Sequence, residues 1–417
     1  MQVSVRAPRR GRSLRRWLAG LVTVLALAGC GPDPISGSRE GDRAAPTPAA
    51  QASSGDPTSG SDAAEPGRPQ RKRLTVLMTG DVLLHDGLWH DARLDAQRTG
   101  RGAMDFRPLL ANMRPAIHRA DLAICHLETP LAPAGGPFSG YPLFSAPPAI
   151  APALRWAGYD ACTTASNHTV DRGFDGIKRT IDDLDQAGIA HTGSFTNRRD
   201  AQGPLWLNVN GVKVVLIAAT FGLNGLPLPD GRPWAVNLID PDRIIKQATA
   251  AREAGADIVL VALHWGDEYV EQPSAFQVDV ATRLAKSGQI DLIYGHHAHV
   301  VQPYDKVHGV WVLYGMGNAV AQQEKSMPEL YVGNAAQVTF TQRPGGAFKV
   351  SAVQYRPTMV TFFDGIHPMG YLDAARALNQ PAYAGQRARL RDALARVRRA
   401  VGANGAFTRG VTRAGGD

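Results

Sequence analysis

Acidic, amide and histidine side chains stand at the ends of several strand-like apolar segments of this 417-residue chain. In chain order, these positions are Gly80-Asp81, Leu127-Glu128, Ser166-Asn167-His168, His264-Trp265-Gly266-Asp267-Glu268, Gly295-His296-His297-Ala298-His299 and Gly317-Asn318. Carboxylate, amide and imidazole ligands together suit Mn²⁺, Zn²⁺ or Fe. Since no cysteine is among them, a closed structural zinc site is disfavoured.

Single members of this set have ordinary explanations. An acid such as Glu128 is usually solvated, and Asn167-His168 fits a helix cap followed by a hydrogen-bonded histidine. His297 and His299 form a stronger pair, because residues i and i+2 of an extended segment point the same way and both rings would reach one ion. The ordered set of strand-end groups, more than any single motif, predicts a metal-dependent site.

Strand-like and helix-like segments alternate from Leu74 onward, which predicts an α/β domain. The main strand candidates are Leu74–Thr79, Asp121–His126, Val212–Ala219, Asp257–His264, Asp291–Tyr294 and Trp311–Tyr314. The helix candidates are Ile177–Ala187, Pro241–Ala254 and Ala275–Ser287. Ligands of open α/β sheets bind beyond the carboxyl ends of the strands. We therefore expect the polar residues at the strand ends to meet at one edge.

Six short motifs occur in a fixed order along the chain. They are Gly80-Asp81-Val82, His126-Leu127-Glu128-Thr129-Pro130, Ser166-Asn167-His168, His264-Trp265-Gly266, Gly295-His296-His297-Ala298-His299-Val300 and Tyr314-Gly315-Met316-Gly317-Asn318. As an ordered set they resemble the CapA family of bacterial capsule and poly-γ-glutamate synthesis proteins, which is related to the calcineurin-like metallophosphoesterases. The resemblance covers about residues 74–320. It implies an α/β fold of four layers, an αββα sandwich of two β-sheets flanked by helices, and a centre of two divalent metal ions.

The resemblance also implies roles for individual residues. The implied metal ligands are Asp81, Glu128, Asn167, His264, His297 and His299. Glu128 would take the bridging position, and His168 would be the catalytic residue, as a proton donor or oxyanion partner. His296 is an additional histidine of the loop that is not among the implied ligands.

Two positions depart from the broader phosphoesterase pattern. That pattern has a histidine two residues after the first aspartate, where this chain has Leu83, and the nearest candidate is His85. Glu128 stands where phosphoesterases usually have aspartate. Both departures count against ordinary phosphatase activity.

The N-terminal segment has the features of a lipoprotein leader. Residues 1–30 combine an arginine-rich start with a short apolar run, Trp17–Ala28, and end in Leu27-Ala28-Gly29-Cys30, which resembles a bacterial lipobox. That resemblance implies cleavage before Cys30 and lipid attachment to it, whereas the alternative is a plain secretory signal. Residues 31–73 predict a flexible tether rich in Gly, Pro, Ser and Ala. We therefore expect a protein anchored at the extracytoplasmic face of a bacterial cell membrane.

The net charge of +8 belongs to the ends of the chain. The central part, residues 31–370, carries a net charge of −4, so we expect no nucleic-acid partner. Residues 371–417, after a main domain at 74–370, predict an Arg-rich helix and a loose tail. Its arginines Arg387, Arg389, Arg391, Arg396, Arg398 and Arg399 would contact an anionic polymer or acidic lipid headgroups, or simply form a solvated helix face.

Cys125 and Cys162 each lie in an apolar, strand-like stretch. Two interpretations stay open: two small buried side chains, or one disulfide formed in an oxidising compartment.

Three functions follow from these features. The resemblance places the chain in synthesis or export of a capsular polymer of the poly-γ-glutamate type, with a dinuclear hydrolase centre. The first alternative is a metal-dependent phosphoesterase or amide hydrolase with another cell-envelope substrate. The second is a non-enzymatic accessory of a membrane polymer synthase.

Overall fold

The computed structural model describes residues 2–5 and 71–415 of the chain. Most of the expected leader, Cys30 and nearly all of the expected tether lie outside the described residues. The described strands are β1 (Gln2–Val5), β2 (Arg73–Val82), β3 (Leu122–Leu127), β4 (Ala161–Thr163), β5 (Ala190–Thr192), β6 (Leu205–Val209), β7 (Val212–Thr220), β8 (Ile258–Trp265), β9 (Leu292–His297), β10 (Tyr304–Val307), β11 (Val310–Leu313), β12 (Asn318–Val320), β13 (Val332–Gln342), β14 (Phe348–Val360), β15 (Tyr371–Asp373) and β16 (Thr412–Arg413). The described α-helices are α1 (Asp86–Thr99), α2 (Arg107–Leu110), α3 (Arg114–Arg119), α4 (Ile150–Ala157), α5 (Gly173–Ala187), α6 (Pro241–Glu253), α7 (Ala275–Lys286), α8 (Ala374–Leu378) and α9 (Arg387–Gly402). Every strand and helix candidate named above overlaps a described element of the same type.

These strands form two sheets. One sheet has the order β1-β6-β7-β8-β9-β11-β10, and the other has the order β15-β14-β13-β2-β3-β4-β5, with β12 beside β2 and β16 beside β14. Strands β2, β3, β4 and β5 run parallel to one another, as do β7, β8, β9 and β11. Each sheet therefore has a set of neighbouring strands whose carboxyl ends lie at the same edge.

The two sheets pack face to face, with helices on their outer faces. Along β3, Leu122 and Ile124 point into the core between the sheets, whereas Ala123 and Cys125 point towards α1 to α4. Every second residue of β8 also enters the shared core, and the residues between them pack against α6 and α7. This alternation follows from the two-residue period of a strand. The expected four-layer αββα architecture is confirmed.

Cys125 and Cys162 occupy directly paired positions of β3 and β4. Their Cα atoms are 4.5 Å apart, and their sulfur atoms are joined in a disulfide. Both residues are also fully buried against the outer helices. The pairing register, which the sequence does not give, makes the disulfide geometrically available.

The C-terminal segment differs from the expected single helix and loose tail over 371–417. Residues 371–403 instead form β15, α8, a 3₁₀ segment at Pro381–Gln386, and α9. Pro381 lacks a backbone N–H and fits the start of a new segment better than a helix interior. After α9 the chain forms β16, which pairs with β14, so residues up to 413 still belong to the sheet. The Arg-rich helix is present as α9, but it covers Arg387–Gly402 instead of all of residues 371–403, and the expectation of a loose tail is wrong.

Among the described residues, no helix combines the length and the apolar character needed to cross a membrane.

Candidate metal centre

The six implied ligands stand at the carboxyl ends of parallel strands from both sheets. Asp81 ends β2, Glu128 follows β3, and Asn167 lies in the turn between β4 and α5. From the other sheet, His264 lies near the end of β8, His297 ends β9, and His299 follows two residues later. All six are buried, with exposed fractions between 0% and 4%. The expectation that these strand ends meet at one edge is confirmed.

Glu128 lies between two of the histidines. Its Oε1 atom is 3.9 Å from His264 Nε2 and 3.9 Å from His299 Nε2. His264 Nε2 is also 2.9 Å from Asn167 Oδ1, and His299 Nδ1 is 3.3 Å from Asp81 Oδ2. Glu128 thus lies beside two of the candidate ligands, His264 and His299, which in turn contact Asn167 and Asp81.

The His297-Ala298-His299 segment is not extended, in contrast to the sequence-based expectation. His297 has a φ of 89° and His299 a φ of 57°, both in the left-handed region that non-glycine residues rarely adopt. The two rings nevertheless meet, with centroids 6.1 Å apart. The His297 backbone N–H donates to Asp81 Oδ2 at 3.2 Å. The unusual backbone, rather than strand alternation, brings both rings to the centre.

Two further histidines, His126 and His296, belong to the site although the sequence analysis did not assign them as ligands. His126 Nε2 is 3.0 Å from His264 Nδ1, and its Nδ1 is 2.8 Å from Thr163 Oγ1. His296 Nδ1 is 2.7 Å from Asp81 Oδ1, and its Nε2 has no hydrogen-bond partner among the described residues. The two rings stack with centroids 4.1 Å apart.

Strand periodicity is the signal that would have found both residues. The even-numbered positions of β3 lead from Leu122 to His126, and those of β9 lead from Leu292 to His296. The leucines at the start of each series lie in the core between the sheets. Because side chains two apart on a strand share a face, both histidines point into the same space.

The pKa values of the two central carboxylates are shifted in opposite directions. It raises the pKa of Glu128 well above its usual range, and neither oxygen of Glu128 has a hydrogen-bond partner among the described residues. At Asp81, burial is outweighed by hydrogen bonds from His296 and His299, which hold the pKa well below its usual range. A buried carboxylate without a hydrogen-bond donor is unfavourable, so a cation beside Glu128 would remove a large cost.

The histidines are mostly held in the neutral form that binds metals. Burial lowers the pKa of His126 and His264, and lowers that of His297 to about 3. At His299 the effect of burial is outweighed by the charge of Glu128 and the hydrogen bond to Asp81, which raise its pKa to about 9. The proton on His299 therefore balances the charge of the same carboxylates that a bound cation would balance.

Three clusters of donor atoms occur among the described residues, each with its atoms within 4.8 Å of one another. The clusters are Asp81, His126 and His296; Asp81, Glu128 and His299; and Glu268, His297 and His299. Carboxylate oxygens with imidazole nitrogens suit Zn²⁺, Mn²⁺ or Fe. The residues present therefore fit metal binding.

A family model described as "Bacterial capsule synthesis protein PGA_cap" matches residues 75–323, which include every residue of this centre. The chain belongs to this family.

Curated relatives of this chain include the "Capsule biosynthesis protein CapA" of Bacillus anthracis, 33% identical over 41% of this chain and 42% of the relative. The "PGA biosynthesis protein CapA" of Bacillus subtilis is 30% identical over 41% of this chain and 44% of the relative. A "Probable polyglutamine synthesis accessory protein" of Mycobacterium tuberculosis is 28% identical over 49% of this chain and 56% of the relative. The chain thus matches about half the length of these relatives.

Solved structures with a similar chain path have low sequence identity. The putative 5'-nucleotidase of Staphylococcus aureus is 14% identical, with a TM-score of 0.45, over 77% of this chain and 58% of that chain. The calcineurin-like phosphoesterase YfkN of Bacillus subtilis is 16% identical, with a TM-score of 0.40, over 79% of this chain and 100% of that chain. At these TM-scores, function has to be inferred from the site itself.

The position two residues after Asp81 is part of the apolar packing. Leu83 is buried in a small apolar cluster with Phe144 and Ala321. His85 lies near this cluster, and its Nδ1 accepts a hydrogen bond from the Gln322 backbone N–H at 3.2 Å. Burial lowers the pKa of His85 to about 4. Among the described residues, His85 is not a member of the three donor clusters.

His168 is oriented by a buried carboxylate. Its Nδ1 is 2.8 Å from Asp171 Oδ2, and the same oxygen accepts the Phe144 backbone N–H at 2.8 Å. The Nδ1–H form donates to Asp171, which leaves Nε2 of His168 free for proton exchange. Asp171 was not identified from the sequence, although its i+3 spacing from His168 in the turn before α5 would have allowed it.

A cavity of about 500 Å³ opens beside the centre. Its wall includes His168, His299, Glu268 and the aromatic side chains of Phe144 and Tyr269. None of the described residues that line it is Lys or Arg. Another cavity, of about 660 Å³, lies against α6, but its lining includes none of the donor residues. The cavity beside the metal ligands is therefore the candidate substrate site.

Proposed function

We propose that this chain is a metal-dependent hydrolase that acts on an envelope polymer during capsule synthesis or export. The observation that carries the proposal is Glu128, which is fully buried between His264 and His299 and whose two oxygens have no hydrogen-bond partner among the described residues. Such a carboxylate is favourable when cations complete its surroundings. The family supports the biological setting, and the relatives named for capsule or poly-γ-glutamate biosynthesis support the polymer.

Two divalent ions, of Mn, Zn or Fe, would be held by carboxylate and imidazole groups on both sides of Glu128. The proposed ligands are Asp81, Glu128, Asn167, His264, His297 and His299. When bound, such ions supply an acidified water and polarise the substrate oxygen. His126 and His296 would orient His264 and Asp81 through the contacts described above, as outer hydrogen-bond partners do in metal sites.

His168 would protonate the leaving group through Nε2, because Asp171 holds its Nδ1. The reacting atom is either phosphorus or a carbonyl carbon. A free phosphate monoester carries two negative charges, and a lysine or arginine would be expected in a cavity that binds it. The described lining has neither, so the positive charge that faces a phosphate or the carboxylates of a polymer such as poly-γ-glutamate would come from the bound ions.

The proposed location is the extracytoplasmic face of a bacterial cell membrane. The proposed anchor is a lipid on Cys30, and residues 31–73 would be the tether. The pairing of Cys125 with Cys162 in a disulfide supports an oxidising compartment.

A non-enzymatic role is the second candidate. Leu83 fills with apolar packing a position where phosphoesterases carry a histidine, and the mycobacterial relative carries the word accessory in its name. In this role the chain would bind a membrane polymer synthase and pass the polymer outward.

We further propose that one face of α9 contacts the anionic polymer. Arg387, Arg391 and Arg398 are exposed, and their spacing of four and seven residues places them along one face of the helix. Arg398 also lies 5.4 Å from the centroid of the Phe407 ring, and two other arginines of the expected set have partners within the fold. Arg389 lies 3.6 Å from the centroid of the Phe362 ring, and Arg396 pairs with Asp392 at 2.6 Å.

The metal content of residues 71–417, measured by elemental mass spectrometry, tests the proposal. We expect about two transition-metal ions per chain, as in dinuclear hydrolases. We expect His297→Ala to lose both these ions and the ability to hydrolyse a model phosphodiester or γ-glutamyl amide. A wild-type chain without metal after reconstitution with Mn²⁺, Zn²⁺ and Fe²⁺ would contradict the hydrolase and favour the accessory role.

A further inference from the structure

Glu268 is an exposed carboxylate at the mouth of the metal centre. It lies in the loop after β8, and its carboxylate forms a donor cluster with His297 and His299, with the three ligand atoms within 4.8 Å of one another. The two histidines are buried, whereas Glu268 faces the solvent. The same cavity wall contains Glu268, His168 and His299.

The loop that carries Glu268 is fixed to the histidine loop by its backbone. The Tyr269 N–H donates to the carbonyl of Ala298 at 2.8 Å, between the two histidines of the cluster. Gln302, which is fully buried, donates from Nε2 to the Val270 carbonyl at 2.9 Å. These hydrogen bonds join the loop that carries Glu268 to the loop that carries the two histidines. Glu268 is therefore held near the histidines by backbone contacts and does not lie on a freely moving surface loop.

The buried amide side chains of Gln277 and Gln302 also support this loop. Gln277 Nε2 donates to Gln302 Oε1 at 2.7 Å. Gly266 begins the turn with a φ of 97°, and a Cβ there would lie 2.6 Å from Gln277 Oε1. The turn therefore needs glycine for both its conformation and its space.

We infer that Glu268 is a metal ligand that closes the solvent side of the centre, on the ion that His299 holds. His299 belongs both to this cluster and to the buried cluster with Asp81 and Glu128. The buried cluster supplies three protein ligands, and Glu268 supplies a fourth, the number typical of zinc sites.

Charge supports the same assignment. Asp81 and Glu128 offer two negative charges to two divalent ions, and the other proposed ligands, Asn167 and three histidines, are neutral donors. A third carboxylate reduces the excess positive charge, which is costly near a buried site. Because Glu268 lies on the open side, its release would also free a coordination position towards the cavity. This inference rests on the proposed metal centre, and it assigns a ligand that the six motif residues do not include.

Mn²⁺ binding to the full chain tests the inference, with equilibrium dialysis and elemental mass spectrometry as readouts. We compare Glu268→Gln with Asp267→Asn, which removes the same charge from the neighbouring exposed residue. Loss of an outer hydrogen-bond partner alone weakens metal binding by about 10–100-fold. We therefore expect Glu268→Gln to weaken one of the two sites by at least about tenfold, and Asp267→Asn to retain wild-type binding.

The outcomes separate this inference from the proposed function. Wild-type Mn²⁺ affinity and stoichiometry in Glu268→Gln would overturn the assignment and leave the metal centre intact. Equal weakening in both variants would also overturn it, because net charge rather than ligation would then explain the loss. A wild-type chain that binds no Mn²⁺, Zn²⁺ or Fe²⁺ would overturn the metal centre and Glu268 as its ligand together. Both substitutions are at exposed positions, and the thermal unfolding midpoint checks that each variant is folded.

Discussion

At the residue scale, the centre combines groups whose protonation the fold sets in different directions. Asp81 stays ionised because His296 and His299 donate to it, whereas Glu128 is buried and has no hydrogen-bond donor within the described part of the chain. His264 and His297 are held neutral by burial. Neutral imidazoles beside two carboxylates are the protonation states that bind metal ions, so the site suits metal binding and not structural hydrogen bonding alone.

Asp171→Asn tests the orientation of His168. The amide is uncharged, and its NH₂ group can donate to Nδ1 where the carboxylate can only accept. His168 would therefore lose its preferred tautomer. We expect turnover of a model substrate to fall by about 10²-fold or more, with a changed pH profile and unchanged metal content. Asp175→Asn, at an exposed position of α5, is the matched control. Wild-type turnover in Asp171→Asn would show that the pair has no part in proton transfer.

The burial of Asp91 on α1 predicts that the free energy of unfolding depends on pH. Burial, with the nearby Asp95, raises the pKa of Asp91 to about 6. One oxygen accepts the Met369 N–H at 2.9 Å, and the other has no hydrogen-bond partner among the described residues. Since the folded state then holds its proton more tightly than the unfolded state, stability falls as pH rises from about 4 to about 6.

Asp91→Asn should remove this penalty. We expect the variant to unfold with a free energy about 1–3 kcal/mol higher than wild type at pH 7.5, and with little difference near pH 4. Urea unfolding at both pH values measures the difference. Asp279→Asn, at an exposed position of α7, should show no such change. A less stable Asp91→Asn at pH 7.5 would mean that the ionised carboxylate is favourable where it stands.

At the element scale, the close approach of neighbouring strands positions the histidine loop. On β9, a Cβ at Gly295 would lie 1.9 Å from the Tyr314 carbonyl oxygen and 2.3 Å from Trp265 Nε1. Trp265 Nε1 itself donates to the Tyr314 carbonyl at 2.9 Å. Gly295 therefore keeps β8, β9 and the start of the next loop in the register that presents His296 and His297.

Gly295→Ala should disturb both stability and metal binding. Because the clash is with backbone, the strand has to shift, and such overpacking costs about 1–3 kcal/mol. We expect a lower unfolding midpoint and a reduced metal content, because the two histidines that follow move with the strand. Gly203→Ala, where a Cβ has open space, is the control. Full metal content in Gly295→Ala would mean that the centre tolerates a shift of β9.

At the scale of the whole molecule, the C-terminal segment is part of the fold. Leu390, Val397 and Val401 of α9 are fully buried in the core shared with both sheets. β15 and β16 also pair with β14. Removal of residues after 370 would therefore expose core and sheet edges, so the polymer-binding proposal needs substitutions rather than truncation.

Replacing Arg387, Arg391 and Arg398 together by Gln tests the proposed polymer contact. The substitutions remove three positive charges from one helix face without touching the buried face. We expect weaker binding to poly-γ-glutamate, with the difference greatest at low salt, because exposed charges are screened as ionic strength rises. Binding would be measured by the salt dependence of co-sedimentation or fluorescence anisotropy.

A second triple variant serves as the control. It carries the same substitution at three exposed arginines elsewhere on the surface, Arg119, Arg198 and Arg343. Equal loss of binding in both variants would attribute the effect to net charge. A loss of binding to anionic vesicles alone, with polymer binding unchanged, would assign the helix face to lipid headgroups instead.

The amino-acid sequence by itself determined the alternation of strands and helices and most of the candidate ligands. Apolar runs interrupted by Asp81, Glu128, His264 and the His297 loop are local patterns, and local patterns are what a sequence displays directly. The long-range consequence, that these strand ends meet, followed from the general rule for α/β sheets.

Tertiary structure alone decided what depends on register and on contacts between distant segments. The sequence does not give which positions of β3 and β4 are paired, so the Cys125–Cys162 disulfide stayed one of two interpretations. The positive φ of His297 and His299 arises from contacts around the loop, not from residue preference, so the extended geometry expected for them was wrong. Glu268 likewise joins these histidines only because a backbone hydrogen bond ties two loops from different strands. Such pairings are set by packing over the whole chain, and no local pattern encodes them.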